Sequence, residues 1–154
     1  MGNESTHHDV LVAGRAFEGA QVHLSQWSPA LAVSAQVNSD RCCYLNRGGH
    51  HNWDARFQEL VGTGLAKSFG EINAESWKRQ EDSTQVELWT EAFRCWKQSK
   101  GHWGVASKCF KWFGAGLAKS SRGIWFMTIV VAGKPIDPPS PAPAPDAVPD
   151  YKVW

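Results

Sequence analysis

Phe113-Gly114-Ala115-Gly116-Leu117-Ala118, then Lys119-Ser120-Ser121-Arg122-Gly123, then Ile124-Trp125-Phe126-Met127-Thr128-Ile129-Val130-Val131 is the stretch that decides how the chain folds. The second run is rich in β-branched and aromatic residues, and the connection is short and contains glycine, so the two runs are read as neighbouring antiparallel strands. Upstream the signals are helical. Asp9 can cap a helix running to about Val22, and Ser28-Pro29 places a capping hydroxyl before a proline at the first helical position, opening a helix through Ser39. Its inner face is set by Leu31, Ala35 and either Val37 or Asn38. Thr84 and Glu87 form a capping box for a third helix, in which Val86, Trp89, Phe93 and Trp96 recur along one stripe before a stop near Gly101. The order is helices first and antiparallel strands late.

A chain of 154 residues is one ordinary domain, and a formal net charge of +1 supplies no field to draw in a polyanion, so nucleic acid is not an expected partner. Nine tryptophans call for a core or a binding surface to hide their rings; Trp103, Trp112 and Trp125 are read as core. No run approaches the roughly 18 to 20 apolar residues that span a bilayer. Residues 1–8 lack the basic and apolar regions of a secretory signal and are read as a flexible terminus carrying His7 and His8. Four cysteines (42, 43, 95 and 109) show no CxxC spacing, which removes zinc-finger readings and suits a reducing compartment or at most one long-range disulfide. Seven of eight prolines follow Lys134, so the domain is placed at 9–133 and residues 134–154 are read as a disordered, Pro-rich tail. That tail is a solvated linker, a ligand for a proline-reading module, or a segment that docks its own Trp154.

Gly62-Thr-Gly-Leu-Ala-Lys-Ser68 echoes Gly114-Ala-Gly-Leu-Ala-Lys-Ser120, with nothing matching around either copy, so the echo is read as chance. Neither copy is a phosphate loop, since Ala occupies the place where a glycine must precede the Lys-Ser pair.

Gly101-His102-Trp103-Gly104, followed by Phe113-Gly-Ala-Gly-Leu-Ala118 and Ser121-Arg-Gly-Ile-Trp-Phe-Met-Thr-Ile-Val-Val-Ala-Gly133, resembles the closing half of the CAP superfamily, the cysteine-rich secretory, antigen 5 and pathogenesis-related class 1 proteins. Leu24-Ser-Gln-Trp-Ser-Pro-Ala-Leu-Ala-Val-Ser-Ala-Gln36 and Val86-Glu-Leu-Trp-Thr-Glu91 look like two of its helices. The resemblance implies an α+β fold, a three-layer α/β/α sandwich around a small antiparallel sheet. It also implies a cleft of two His and two Glu able to hold zinc or another divalent ion. Carried over, the second His is His102, the helical Glu is Glu91, and the first His is His51 or its neighbour His50. The family's Gly-Glu-Asn motif reads best here as Gly62-Thr63-Gly64, which leaves the site one carboxylate short. Glu59, 8 residues after His51, and Glu71, 18 residues before Trp89, are the alternatives, with Glu71 preferred. Glu91 follows Trp89 by two residues, about 200° round a helix, so spacing alone turns it to solvent.

Met1-Gly2-Asn-Glu-Ser-Thr6 fits the acylation pattern of Gly2, and the signal-less, Golgi-associated branch of the same superfamily looks similar. The expectation is a binding module, without catalytic residues, for lipid or sterol-like ligands or a membrane surface, attached peripherally on the cytoplasmic side; export is the alternative location. His51 and His102 are the candidate metal ligands, zinc the candidate ion, and a homodimer and a proline-reading module are candidate partners. The rival functions are a divalent-metal-dependent hydrolase using the His/Glu cleft and an adaptor acting through the tail.

Overall fold

The computed structural model describes residues 2–76, 83–136 and 151–154. Five helices, a short 3-10 turn and five strands follow in the order α1 (Gly2–Ala16), the turn (Val22–Leu24), β1 (Gln26–Trp27), α2 (Pro29–Leu45), α3 (Trp53–Gly62), β2 (Phe69–Ser76), α4 (Gln85–Lys97), α5 (Lys100–Ala106), β3 (Trp112–Lys119), β4 (Trp125–Ala132) and β5 (Tyr151–Val153). The strands form one sheet in the order β1-β3-β4-β2-β5, antiparallel except for the β1–β3 pair.

Local chemistry sets the helix starts. Ser28 is extended and its hydroxyl accepts from the Leu31 amide at 3.3 Å, with Pro29 behind it, so α2 begins where the sequence places it. It runs past the expected end at Ser39 to Leu45, where Asn46 turns left-handed at φ 56°. Thr84 and Glu87 exchange both bonds of the capping box at 3.1 Å each. From there α4 presents Leu88, Trp89, Ala92, Phe93 and Trp96, all fully buried.

The period of two along β3 and β4 sorts side chains onto the two faces. Phe113, Ala115, Met127, Ile129 and Val131 join Ile72 and Ala74 under α1, α4 and α5. Val130 and Ala132 face Leu31 and Ala35 of α2 and Leu60 of α3. Helices therefore cover both faces, which is the three-layer α/β/α sandwich expected.

On the α2 face β3 carries no side chain at two positions. A Cβ on Gly114 would lie 2.1 Å from the Ala32 amide nitrogen, and one on Gly116 2.5 Å from that of Gln36. Backbone thus lies against backbone. Beyond the two residues that β1 covers, the edge of β3 is closed by the Gln36 amide, which donates to Leu117 O at 2.8 Å and accepts from Leu117 N at 3.2 Å.

Two expectations are corrected and one open alternative is settled. The first helix spans 2–16 rather than 9–22, and residues 2–8 lie inside it, because Thr6, Val10 and Ala13 form a buried stripe and His7 stacks on Trp27 at 4.3 Å; Val22 falls in the 3-10 turn beyond a left-handed Gly19. Residues 151–153 of the supposedly disordered tail are a strand paired with β2, while the proline cluster proposed to meet a proline-reading module lies almost wholly outside the described residues. The inner face of α2 takes Asn38, fully buried, and leaves Val37 46% exposed. The two copies of the seven-residue echo adopt different structures, one closing α3 and running into a loop, the other lying in β3.

Adding a methyl group should break the α2–β3 approach. Gly114→Ala and Gly116→Ala meet rigid backbone, so each should cost about 3 kcal/mol or more, at or above the upper end of overpacking penalties, whereas Gly62→Ala, whose Cβ meets nothing within 4 Å, should stay within about 0.5 kcal/mol. Urea unfolding of the three variants checks this.

His23 gives the fold an acid limit. It is 3% exposed, packs against Gly14, and its Nδ1 finds no partner among the described residues. Burial, helped by the charge of Arg15, lowers its pKa from 6.5 to about 4. The unfolded chain therefore binds the extra proton first, and stability present above pH 6.5 should fall by on the order of 3 kcal/mol as pH drops toward 4. A His23→Phe variant that still folds should lose this dependence in denaturant midpoints measured across that window.

Candidate functional site

The loop between α2 and α3, residues 46–52, carries both candidate first histidines. Asn46 and Asn52 are left-handed and Gly49 has φ 133°, so the loop doubles back sharply and needs external anchors. Two buried asparagines supply them. Asn38 Nδ2 donates to Gly49 O at 2.9 Å and Asn38 Oδ1 accepts from His51 N at 2.8 Å, while Asn73 Oδ1 accepts from Gly49 N at 3.0 Å. Asn73 in turn donates to Met127 O and the Thr128 hydroxyl at 2.9 Å each, and Ser39 meets Thr128 at 2.8 Å. The network ties α2, the loop, β2 and β4 together with its members' hydrogen-bonding capacity satisfied.

Arg56 of α3 is the second anchor. It is 4% exposed and all five of its N–H donors are used: Nε to His51 O at 2.9 Å, one terminal nitrogen to Ser34 Oγ at 3.1 Å and Glu71 Oε2 at 2.6 Å, the other to Asn38 Oδ1 and Glu71 Oε1 at 3.1 Å each. Glu71 thus receives a bidentate guanidinium and, at 2.8 Å, His50 Nδ1, with its own side chain 2% exposed.

The structure brings His50 and Glu71 together at a shallow 260 Å³ recess beside Trp53, Phe69 and Gly70. His51 bonds its own loop, Nε2 to Arg47 O at 3.0 Å. Glu59 lines a separate groove between α2 and α3. Glu91 lies on the surface of α4, 3.3 Å from Arg94. His102 of α5 bonds Ser99 Oγ through Nδ1 at 2.6 Å and the Trp154 backbone oxygen through Nε2. Burial lowers its pKa, the Trp154 oxygen raises it, and His50 lowers it again, so the two imidazoles belong to the same region of the molecule.

These donors do not fit zinc. Both Glu71 oxygens are held by Arg56, both ring nitrogens of His102 are engaged, and among the described residues no group of three or more His, Cys, Asp or Glu could hold an ion. Burial disfavours thiolates in this region, pushing Cys42 up to about 12 and Cys43 up to about 11.

Arg56 and Asn73 were missed by the reading of the sequence. Arg56 sits in α3, a helix the sequence reading did not assign, and Asn73 is a polar residue at a position where a central strand ordinarily carries an apolar one. Asn38 was visible as the alternative to Val37 on the α2 stripe.

The layers make an α/β/α sandwich, the CAP-like fold that the sequence resemblance implies. The fold is similar to the solved structure of Schistosoma mansoni venom allergen-like protein 4, with a TM-score of 0.50 and 13% identity over 93% of this chain and 96% of that one. No family model matches the sequence, and no curated protein matches it.

Breaking the anchor should be severe. Arg56→Ala leaves Glu71 buried without its counter-charge and removes one of the two donors to Asn38 Oδ1, so a loss of roughly 3 to 5 kcal/mol is expected, while Arg56→Lys, with three donors for five acceptor contacts, should recover part of it. Chemical denaturation of the two variants, with Glu71→Gln as the companion, reads this directly.

Proposed function

We propose that the protein is a CAP-like binding module for a single-chain lipid or sterol-type ligand and that it acts without catalysis. The observation that carries this reading is the groove between α2 and α3, a 540 Å³ space lined by Ala30, Val33, Val37, Ala55 and Leu60 with Asn52, Glu59 and Thr63. That volume falls in the range of small-molecule sites, which are mostly apolar with a few polar groups to orient the ligand. Val33 and Val37 keep 56% and 46% of their surface exposed, so an apolar chain laid along them removes that area from water. Glu71 held on both oxygens by Arg56 and His102 bonded through both ring nitrogens support this reading over the metal-dependent hydrolase, which needs open donors for an ion and its water.

Attachment to a membrane surface through an acylated Gly2 belongs to the same proposal. Gly2 opens α1, no described helix is long and apolar enough to cross a membrane, and a single acyl chain gives only reversible binding, so a second apolar contact would be needed for a lasting one.

The test is displacement of a fluorescent fatty acid from the unacylated chain. Saturable binding is expected, weakened at least tenfold by Val37→Glu and unchanged by Val12→Glu, a comparably exposed valine on α1. Absence of saturable binding, or equal effects of the two variants, would remove the lipid reading.

A further inference from the structure

The segment 151–154 occupies a built site. β5 adds to the edge of β2, pairing Tyr151 with Ser76, Lys152 with Glu75 and Val153 with Ala74, and Trp154 extends the ladder, donating to Asn73 O at 2.9 Å and accepting from Asn73 N at 3.4 Å. Its indole lies over Gly48, where a Cβ would fall 1.9 Å from Nε1, and Nε1 donates to Glu75 Oε1 at 3.2 Å. Lys152 stands 4.2 Å from the ring centroid, and the backbone oxygen of Trp154 takes His102 Nε2. Asn73, which holds Gly49 through its side chain and Trp154 through its backbone, connects the seat to the His-bearing loop.

The backbone N–H, the backbone oxygen and the indole N–H of this residue each have a partner, and Gly48 is shaped for a ring rather than required by the backbone, since its φ lies outside the left-handed region. A short strand joined to the domain through a run of residues that includes most of the prolines docks as an intramolecular ligand, favoured by its effective concentration more than by contact area. Strand addition with a pocket for one side chain is a recognition mode that works equally in trans.

We infer that the surface formed by Gly48, the edge of β2 and His102 is a peptide-binding site for an extended, tryptophan-bearing segment, which the chain fills with its own residues 151–154. The site is independent of the α2–α3 groove. While filled, it covers His102 and the free edge of β2, so any peptide of this class competes with the chain's own segment.

Hydrogen exchange on the full chain provides the first arm. In Gly48→Ala the amides of 152–154 should exchange at least tenfold faster than in the unmodified chain, with β3 and β4 protection unchanged. The second arm titrates the synthetic peptide Asp-Tyr-Lys-Val-Trp, matching residues 150–154, into full-length Trp154→Ala. Saturable binding is expected, at least tenfold weaker to the unmodified chain and to the Gly48→Ala/Trp154→Ala double variant. Unchanged protection of 152–154 in Gly48→Ala, absence of peptide binding to a folded Trp154→Ala chain, or global unfolding of Trp154→Ala, which would make β5 part of the core, would each overturn the inference.

Discussion

Helix α2 lies with its backbone against strand β3 because Gly114 and Gly116 leave that face of the strand bare. The approach brings short polar side chains of the helix within reach of the sheet: Ser39 Oγ meets Gly116 O at 3.1 Å and Thr128 at 2.8 Å, and Asn38 reaches Thr128 at 3.2 Å. Were the helix held off by methyl groups, these bonds would lengthen beyond use and the three buried polar side chains of Ser39, Asn38 and Thr128 would lose partners that water could not replace. The asparagines that position the loop after α2 therefore depend on two missing side chains in a strand far along the sequence.

The same dependence explains why an arginine and a glutamate can be buried beside that loop. Removing two charges from water is costly, and only a guanidinium with every donor satisfied and a carboxylate accepting on both oxygens recovers the loss. Ser34 and Asn38 of α2 supply the remaining acceptors, so the pair is possible only where α2 already sits close.

The two surfaces proposed for binding differ in character. The α2–α3 groove is apolar and open, suited to a ligand recognised by area, whereas the seat of Trp154 is polar at its rim and closed by the chain itself, suited to a ligand recognised by strand pairing and one ring. Glu75 illustrates the second kind. Burial raises its pKa above the usual carboxylate range, and the indole N–H and the nearby Lys152 of the segment it holds offset only part of that rise.

Residue by residue, the sequence determined what depends on neighbours in the chain. The Ser28-Pro29 start, the Thr84/Glu87 box, the α4 stripe and the β3–β4 hairpin are fixed by contacts within a few residues, and their order was enough to indicate the sandwich. It did not determine β2, whose Glu71 and Asn73 alternate with Ile72 and Ala74 as a solvated face would and yet have buried side chains, nor the helical state of residues 2–8, whose inward stripe has meaning only against Trp27 and the core. The site followed the same division. His50, Glu71 and His102 were legible as types at suggestive spacings, but Arg56 taking both oxygens of Glu71, and Trp154 taking His102, are pairings across 15 and 52 residues. Spacing along a chain carries no information about such partners. They are chosen by the geometry that α2, packed on two glycines, imposes on everything around it.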